Sequence, residues 1–385
     1  MDSSPGHRPL GRFEVGPIRP PNEAFSLLVR VTRNCPYNRC AFCPVYKGSE
    51  FSLRGVEEIK ADIDDMAALG VRVRELGDAR GGLDEAALGR LGALPGGAGA
   101  LQVARFLGAG GRTAFLQDAN SLILPVAGLE QVLRHLRAAF PSIVRVASYA
   151  RAHTVTQRSV AELERLRRAG LDRLHLGLES GSDRVLELMS KGATAARHVA
   201  AGLRVKAAGI GLTEYVMPGL GGRAWSEEHA RETARALCTI APDHIRLRTL
   251  TVPPGSPLAR WVADGAFEPL DDVGVAHELR QLLAGLGGVP STVRSDHILN
   301  LLEEISGRLP QELPRLLAVV DRFLALEPHE QELFIVGRRL GVLRRLDDLA
   351  EPVERARAEA ALARFRLRFP GPLAQAVQEL TTRFV

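Results

Sequence analysis

Three cysteines, Cys35, Cys40 and Cys43, stand in the run Arg33-Asn34-Cys35-Pro36-Tyr37-Asn38-Arg39-Cys40-Ala41-Phe42-Cys43-Pro44. Thiolates are soft ligands, and three so closely spaced can hold three irons of a four-iron cluster, which ordinarily takes four cysteines. The remaining iron then stays open to an external molecule. Zinc is the alternative, but structural zinc sites close a set of four ligands with paired spacing, and no second pair follows here. His7 and His135 are far off in sequence. Cys238 sits in the apolar helical stretch Ala236-Leu237-Cys238-Thr239-Ile240 and reads as an inert, buried small hydrophobe.

The elements that must position these thiols follow from pattern. A chain of 385 residues with 45% hydrophobic and 25% charged residues can bury a large core and is ordinary and globular. No window reaches the roughly 18 continuous apolar residues of a membrane span. The run Met1-Asp2-Ser3-Ser4-Pro5-Gly6-His7-Arg8-Pro9 lacks an apolar signal core. Four cysteines do not suggest a disulfide framework, and a labile cluster needs a reducing compartment, so a cytoplasmic location is expected. The net charge of +5 permits anionic partners without demanding them.

β-rich apolar runs alternate with segments of helical period, the pattern of repeated βα units and a parallel sheet. Ser26–Thr32 reads as the first strand, with the cysteine loop at its C-terminal end. A helix from Val56 to Leu69 lines up Val56, Ile59, Ile63 and Met66 and stops at Gly70. Residues 77–112, rich in glycine and alanine, read in part as a variable insertion or loop. Strands follow at Thr113–Asp118, Ile143–Ser148, Arg173–Glu179, Gly211–Met217 and His244–Leu250, with a helix over Pro125–Ala139. A capping box, Ser159-Val160-Ala161-Glu162, opens a helix that closes at Gly170. That makes six strands with five helical stretches between them. The Val252-Pro253-Pro254-Gly255-Ser256-Pro257 break divides this part from a mostly helical remainder. The expected organisation is an N-terminal extension over 1–25, an α/β part over 26–250 and a helical domain over 251–385.

The three-cysteine loop, with Phe42 directly before its last cysteine, resembles the signature of the radical S-adenosylmethionine (radical SAM) superfamily. The commonest spacing has three residues between the first two cysteines, whereas this chain has four. The resemblance implies a partial (β/α)6 TIM-like barrel whose mouth is covered by the helical appendage. It also implies a 4Fe-4S cluster on Cys35, Cys40 and Cys43, with the open iron chelated by S-adenosylmethionine (SAM). One electron then cleaves SAM to a 5′-deoxyadenosyl radical, which abstracts hydrogen from an unidentified substrate. An electron donor such as flavodoxin or ferredoxin is a further implied partner. A second reading is a non-catalytic iron–sulfur binder or chaperone of the same fold, like some heme-trafficking relatives.

Function in such barrels gathers at the C-terminal ends of the strands. Many relatives carry a Gly-Gly-Glu run after strand two that binds the methionyl amino group. This chain has Gln117-Asp118-Ala119-Asn120-Ser121, so Asp118 or Asn120 would accept those hydrogen bonds instead, unless both merely form the turn. Gly177-Leu178-Glu179-Ser180-Gly181-Ser182 resembles the strand-four segment that many members use around the cofactor, especially the methylthiotransferase and cobalamin-dependent branches. Glu179 is its carboxylate, and Arg184 in the next helix could pair with the methionyl carboxylate. Ser148 at the end of strand three, Met217 after strand five and Phe42 complete the cofactor-binding set. Tyr46, Lys47 and Arg54 could shield or tune the cluster.

In the C-terminal part, Asp296, His297 and Asn300 are weak catalytic candidates; on a helix Asp296 and Asn300 would share a face. The bland reading is a helix cap with surface polar residues. Arg338, Arg339, Arg344, Arg345, Arg355, Arg357, Arg364, Arg366 and Arg368 form a basic run of the kind that contacts nucleic acid. Interspersed acids favour a salt-bridged, solvated face instead, so nucleic acid is possible but not favoured. With one cluster's worth of cysteines and some 25 residues before the first strand, neither an auxiliary cluster nor a cobalamin domain is expected.

Overall fold

A computed structural model describes residues 11–76, 84–93 and 96–381. The chain divides into two compact units: one of Met1–Pro36, Gly48–His175 and Arg204–Gly211, the other of Tyr37–Lys47, Leu176–Leu203 and Leu212–Val385.

In the first unit, β1 (Leu27–Arg30) is followed by β2 (Thr32–Arg33) and β3 (Ser52–Leu53), which pair antiparallel with Thr32 opposite Leu53. The chain between β2 and β3 carries all three clustered cysteines. Then come α1 (Val56–Leu76), α2 (Glu85–Gly92), α3 (Gly97–Gly108), β4 (Thr113–Gln117) and α4 (Val126–Ala139). After them lie β5 (Arg145–Ala150), α5 (Ala152–Thr156) and α6 (Val160–Ala169). β1 and β4 are parallel with Leu28 opposite Phe115, and β4 and β5 are parallel with Phe115 opposite Ala147. These three side chains form one core cluster because period-two alternation points them to the same face. Ile59, Ile63 and Met66 of α1 and Leu129, Val132 and Leu136 of α4 are fully buried, each burial contributing roughly 1.5–3 kcal/mol.

β6 (Arg173–Glu179) begins in the first unit and ends in the second. α7 (Asp183–Leu188), α8 (Ala195–Ala207), β7 (Gly211–Val216), α9 (Gly222–Ile240), β8 (His244–Leu247), α10 (Pro257–Ala263) and α11 (Asp272–Ala284) follow. β9 (Thr292–Arg294), β10 (Gly307–Arg308), α12 (Leu313–Leu324), α13 (Pro328–Arg339), α14 (Pro352–Arg368) and α15 (Leu373–Thr381) complete the chain. In the second unit β7, β8 and β9 run parallel, and β10 returns antiparallel to β9. Leu237, Ile245, Leu283, Val293, Phe323 and Phe334 belong to its main core. The protein is thus an α/β fold whose main sheet is parallel except for β10. Among the described residues β1 is bonded to β4 alone and β10 to β9 alone, so the strands do not close into a full barrel.

The capping box is present: Ser159 Oγ accepts from Glu162 N at 3.1 Å, and Gly170 closes α6 at φ 115°. Four expectations change. First, α1 passes through Gly70 to Leu76, because Val73 continues the stripe of Met66 and Leu69 and is itself buried. Second, most of 77–112 is helical. Asp84 caps α2, and alanine-rich α2 and α3 bury Leu91, Val103 and Phe106, while residues 77–83 and 94–95 lie outside the described residues. Third, Cys238 is exposed rather than buried, and its Sγ donates to Gly285 O at 3.3 Å. Fourth, Ser295–Asn300 forms a turn after β9 and not a helix.

Candidate functional site

Cys40 and Cys43 lie in the second unit on a loop closed at its base by one residue. Asn38 Nδ2 donates to Tyr46 O, and Lys47 Nζ donates to Asn38 O at 2.8 Å. Tyr46 is buried beneath this closure. Between the cysteines, Ala41 N donates to Met189 O at 3.0 Å and Ala41 O accepts from Leu258 N at 3.3 Å, so the loop is bonded on both edges. Tyr37 packs on Gly192, where a Cβ would stand 2.3 Å from the phenol ring and φ is +70°; only glycine meets both demands. Phe42, Cys43, Met217, Arg248 and Leu250 line a small cavity of about 30 Å³, the space of one water.

Glu179 ends β6 with φ 60°, a left-handed conformation uncommon for a side chain other than glycine or asparagine. Its Oε1 accepts from Lys191 Nζ at 3.0 Å, and the same ammonium lies 5.8 Å from the centre of the Phe42 ring. One cation therefore touches both the cysteine loop and the β6 end. Behind it, Glu214 on β7 is fully buried. Burial first, and then the negative Glu179, push its carboxyl well above the usual range, with Lys191 opposing. Glu214 and Lys191 were not singled out by sequence. A glutamate in the middle of the apolar strand Leu212-Thr213-Glu214-Tyr215-Val216 is a usable signal, since Glu is almost never fully buried. Lys191 offered none.

The turns after β6 and β7 are held by helices behind them. His229 Nδ1 is 2.8 Å from Ser180 Oγ and its Nε2 is 3.1 Å from Met217 O, while Thr233 Oγ1 accepts from Gly181 N at 2.8 Å. Glu278 of α11 accepts from Gly219 N at 2.6 Å and from Ser226 Oγ at 2.7 Å. Met217 N in turn donates to Glu179 O at 3.0 Å. Arg184 is exposed; it lies 4.2 Å over the Trp225 ring and 3.7 Å from Glu228.

In the first unit, Cys35 follows β2 and is half-buried. Asn34 N, just before it, donates to Asp118 Oδ2 at 3.0 Å, and Arg30 Nε donates to the same oxygen at 2.9 Å. Asp118 is thereby fully buried against the start of the cysteine loop. Asn120 uses both ends of its amide, donating to Thr154 Oγ1 at 2.8 Å and accepting from Arg151 N at 3.2 Å. Ser148 Oγ donates to Leu116 O at 3.1 Å. Arg54 is buried, ion-paired with Glu58 at 2.9 Å and Asp62 at 2.8 Å, and donates to Arg30 O at 2.7 Å. Arg33 hydrogen-bonds Glu14 and holds that carboxyl below its ordinary range.

Asp296 and Asn300 hold β8 and its C-terminal extension. Asp296 accepts from Arg246 at 2.8 Å. Asn300 Nδ2 donates to Leu247 O at 2.8 Å, and its Oδ1 accepts from Thr249 N at 2.9 Å and Thr249 Oγ1 at 3.0 Å. Burial, then the positive charge of Arg248, lower His297 to about 4, so its ring is neutral near pH 7. Of the arginine run, Arg338 and Arg344 pair with Glu303, Arg339 with Asp272, Arg355 with Glu330, Arg357 with Glu354 and Arg366 with Glu332. Six of the nine arginines are thus ion-paired, and two of those six, Arg338 and Arg339, are mostly buried rather than on a solvated face.

By type, Cys35, Cys40 and Cys43 are three half-buried thiols, the donor set that suits an iron–sulfur group. Among the described residues no group of three or more His, Cys, Asp or Glu side chains is gathered as for a bare metal ion. None of the described helices is long and apolar enough to cross a membrane.

Comparison with known proteins places a family on part of this architecture. The model of the Radical SAM superfamily matches residues 100–235, from α3 into α9, so the cysteine loop lies ahead of the matched stretch. Curated proteins give no match. Solved structures that resemble the chain include the Elp3 of the archaeon Methanocaldococcus infernus with an N-terminal deletion, at 16% identity and TM-score 0.40, covering 51% of this chain and 53% of that one. TsrM from Kitasatospora setae, a radical S-adenosylmethionine methyltransferase with cobalamin and a 4Fe-4S cluster bound, matches at 14% and 0.44, covering 90% and 62%. Coproporphyrinogen III oxidase (HemN) from Escherichia coli matches at 15% and 0.43, covering 68% and 52%. The chain spans between about half and under two thirds of the length of these three proteins.

Proposed function

We propose that this chain, a member of the radical SAM superfamily by its match over residues 100–235, is an enzyme that cleaves SAM reductively and uses the resulting 5′-deoxyadenosyl radical to take hydrogen from a substrate. The observation that carries this reading is the run of three thiols, Cys35, Cys40 and Cys43, N-terminal to the matched stretch. When bound there, a 4Fe-4S cluster supplies the single electron and one open iron for SAM.

The residues have separable tasks. Cys35, Cys40 and Cys43 bind as thiolates, so cluster loading releases their protons. Asn38 and Lys47 close the loop that presents Cys40 and Cys43, and Asp118 fixes the backbone just before Cys35. Phe42 shields Cys43 with an apolar ring, while Lys191 fixes the carboxylate of Glu179 by a charged hydrogen bond. Glu179 so oriented is the acceptor for a donor group of SAM, and Met217 packs against the same small cavity as Cys43. Excluding water there protects a reactive carbon radical from side reactions. A one-electron donor such as flavodoxin or ferredoxin is the fitting partner, and a reducing compartment such as the cytoplasm suits the thiolates.

The test is to reconstitute the protein anaerobically with iron and sulfide, then add dithionite and SAM. The reading predicts a brown protein that releases 5′-deoxyadenosine; a brown protein that releases none is a binder, not this enzyme.

A further inference from the structure

The second unit contains a larger cavity of about 340 Å³, separate from the space beside Cys43. Thr249, Leu250 and Thr251 line both, one stretch of chain serving as the shared wall. At roughly 30 Å³ per water the larger space holds about a dozen waters, the low end of small-molecule sites and too little to enclose a macromolecular strand or a large macrocycle.

Its walls carry both signs of charge. Arg339 lies deep, with its side chain 5% exposed and paired to Asp272, and its guanidinium also donates to Leu299 O at 2.7 Å. Its Nε–H, buried, meets no acceptor. Arg223 and Glu268 pair at 2.6 Å at the exposed rim. Asp271 uses one carboxylate oxygen to cap α11, accepting from Gly274 N at 2.7 Å. Between these groups the lining mixes apolar Val252, Leu270, Val275 and Val377 with threonine and glutamine side chains, among them Thr249, Thr251 and Gln378.

This composition discriminates among ligand classes. A polyanion would meet Glu268, Asp271 and Asp272. A polycation would meet Arg223 and Arg339. A wholly apolar ligand would strip water from these groups and return no hydrogen bond. A zwitterion with an apolar body satisfies all three surfaces, its carboxylate taken by the guanidinium side and its ammonium by Asp271.

Resting on the radical reading above, we infer that this cavity is the substrate chamber and that it takes a small zwitterion with an apolar body, of the α-amino-acid type. L-phenylalanine serves as the probe, with hydrocinnamate lacking the ammonium and phenethylamine lacking the carboxylate. Isothermal titration is run on the cluster-reconstituted protein, and 5′-deoxyadenosine is assayed on the same preparation. L-phenylalanine is expected to bind at least tenfold more tightly than either truncated analogue, the order expected for a lost charged hydrogen bond. Ala374→Trp, at an exposed wall position, fills the space and abolishes that binding. Asp271→Asn keeps a good helix cap, so it folds, and weakens L-phenylalanine about tenfold while leaving hydrocinnamate unchanged. Equal binding of all three probes, no binding of L-phenylalanine, or loss of no affinity in Asp271→Asn overturns the inference. Should Ala374→Trp not fold, the Asp271→Asn comparison decides. Probe binding in this pattern without 5′-deoxyadenosine defeats the radical reading and spares the cavity; 5′-deoxyadenosine without probe binding does the reverse.

Discussion

Lys191 Nζ stands 3.0 Å from Glu179 Oε1, and the buried carboxyl of Glu214, pushed up by burial and then by the negative Glu179, lies beside that pair. Two carboxyl groups and one cation share one place in the second unit. Lys191→Met leaves two carboxyls facing each other without a counter-charge. It should cost about 1–3 kcal/mol in urea unfolding, the range for stranding a buried charged partner. Adding Glu214→Gln should recover part of that loss at alkaline pH, where Glu214 would otherwise ionise beside Glu179; strict additivity of the two changes would refute the coupling.

Glu214 also predicts a pH dependence. Its carboxyl is raised in the folded protein, so folding favours the protonated form. The stability it contributes is fully present below the ordinary carboxylate range, near 4.5, and is lost as pH rises through its folded value. Glu214→Gln mimics the protonated acid. Its melting temperature should exceed the wild type's at alkaline pH, and the two should converge in acid.

His297 predicts the opposite limb. Its ring is lowered from 6.5 to about 4, so the folded state binds fewer protons than the unfolded state between those values. The stability is present above pH 6.5 and is lost as pH falls toward 4, up to about 3 kcal/mol. His297→Gln should flatten melting curves across that window, and an unchanged slope would count against the buried neutral ring.

Much of this was legible from residues alone, for physical reasons. β6 runs over Arg173–Glu179 as its apolar pattern and flanking glycine imply, and α6 begins and ends where its capping box and Gly170 dictate. Local signals failed where tertiary packing overrode them. Gly70 looked like a helix stop, yet burial of Val73 carries α1 onward; glycine in a helix costs only about 1 kcal/mol, less than that packing returns. The glycines among the alanines of 85–108 hid two helices for the same reason. The strand-end residues Glu179 and Met217 could be picked out by position. Lys191 could not, because its contact with Phe42 and Glu179 depends on the turn after α7 rather than on any spacing.

Asn300 shows how a polar residue noticed for chemistry can serve architecture. Its amide makes three hydrogen bonds to Leu247 and Thr249, at the end of β8 and just beyond it. Asn300→Ala strands buried backbone groups and should cost about 2–3 kcal/mol in chemical denaturation, while Asn300→Asp, which keeps the acceptor but not the donor, should fall between. A neutral Asn300→Ala would show that these bonds are not needed to hold the strand end.

The most direct measurement is 5′-deoxyadenosine released from SAM and dithionite by the anaerobically reconstituted protein, set beside Cys35→Ala, Cys40→Ala and Cys43→Ala. The account predicts release by the wild type, and in each variant a loss of iron together with a loss of release. Release that survives any one of the three substitutions, or a fully loaded wild type that releases none, would contradict it.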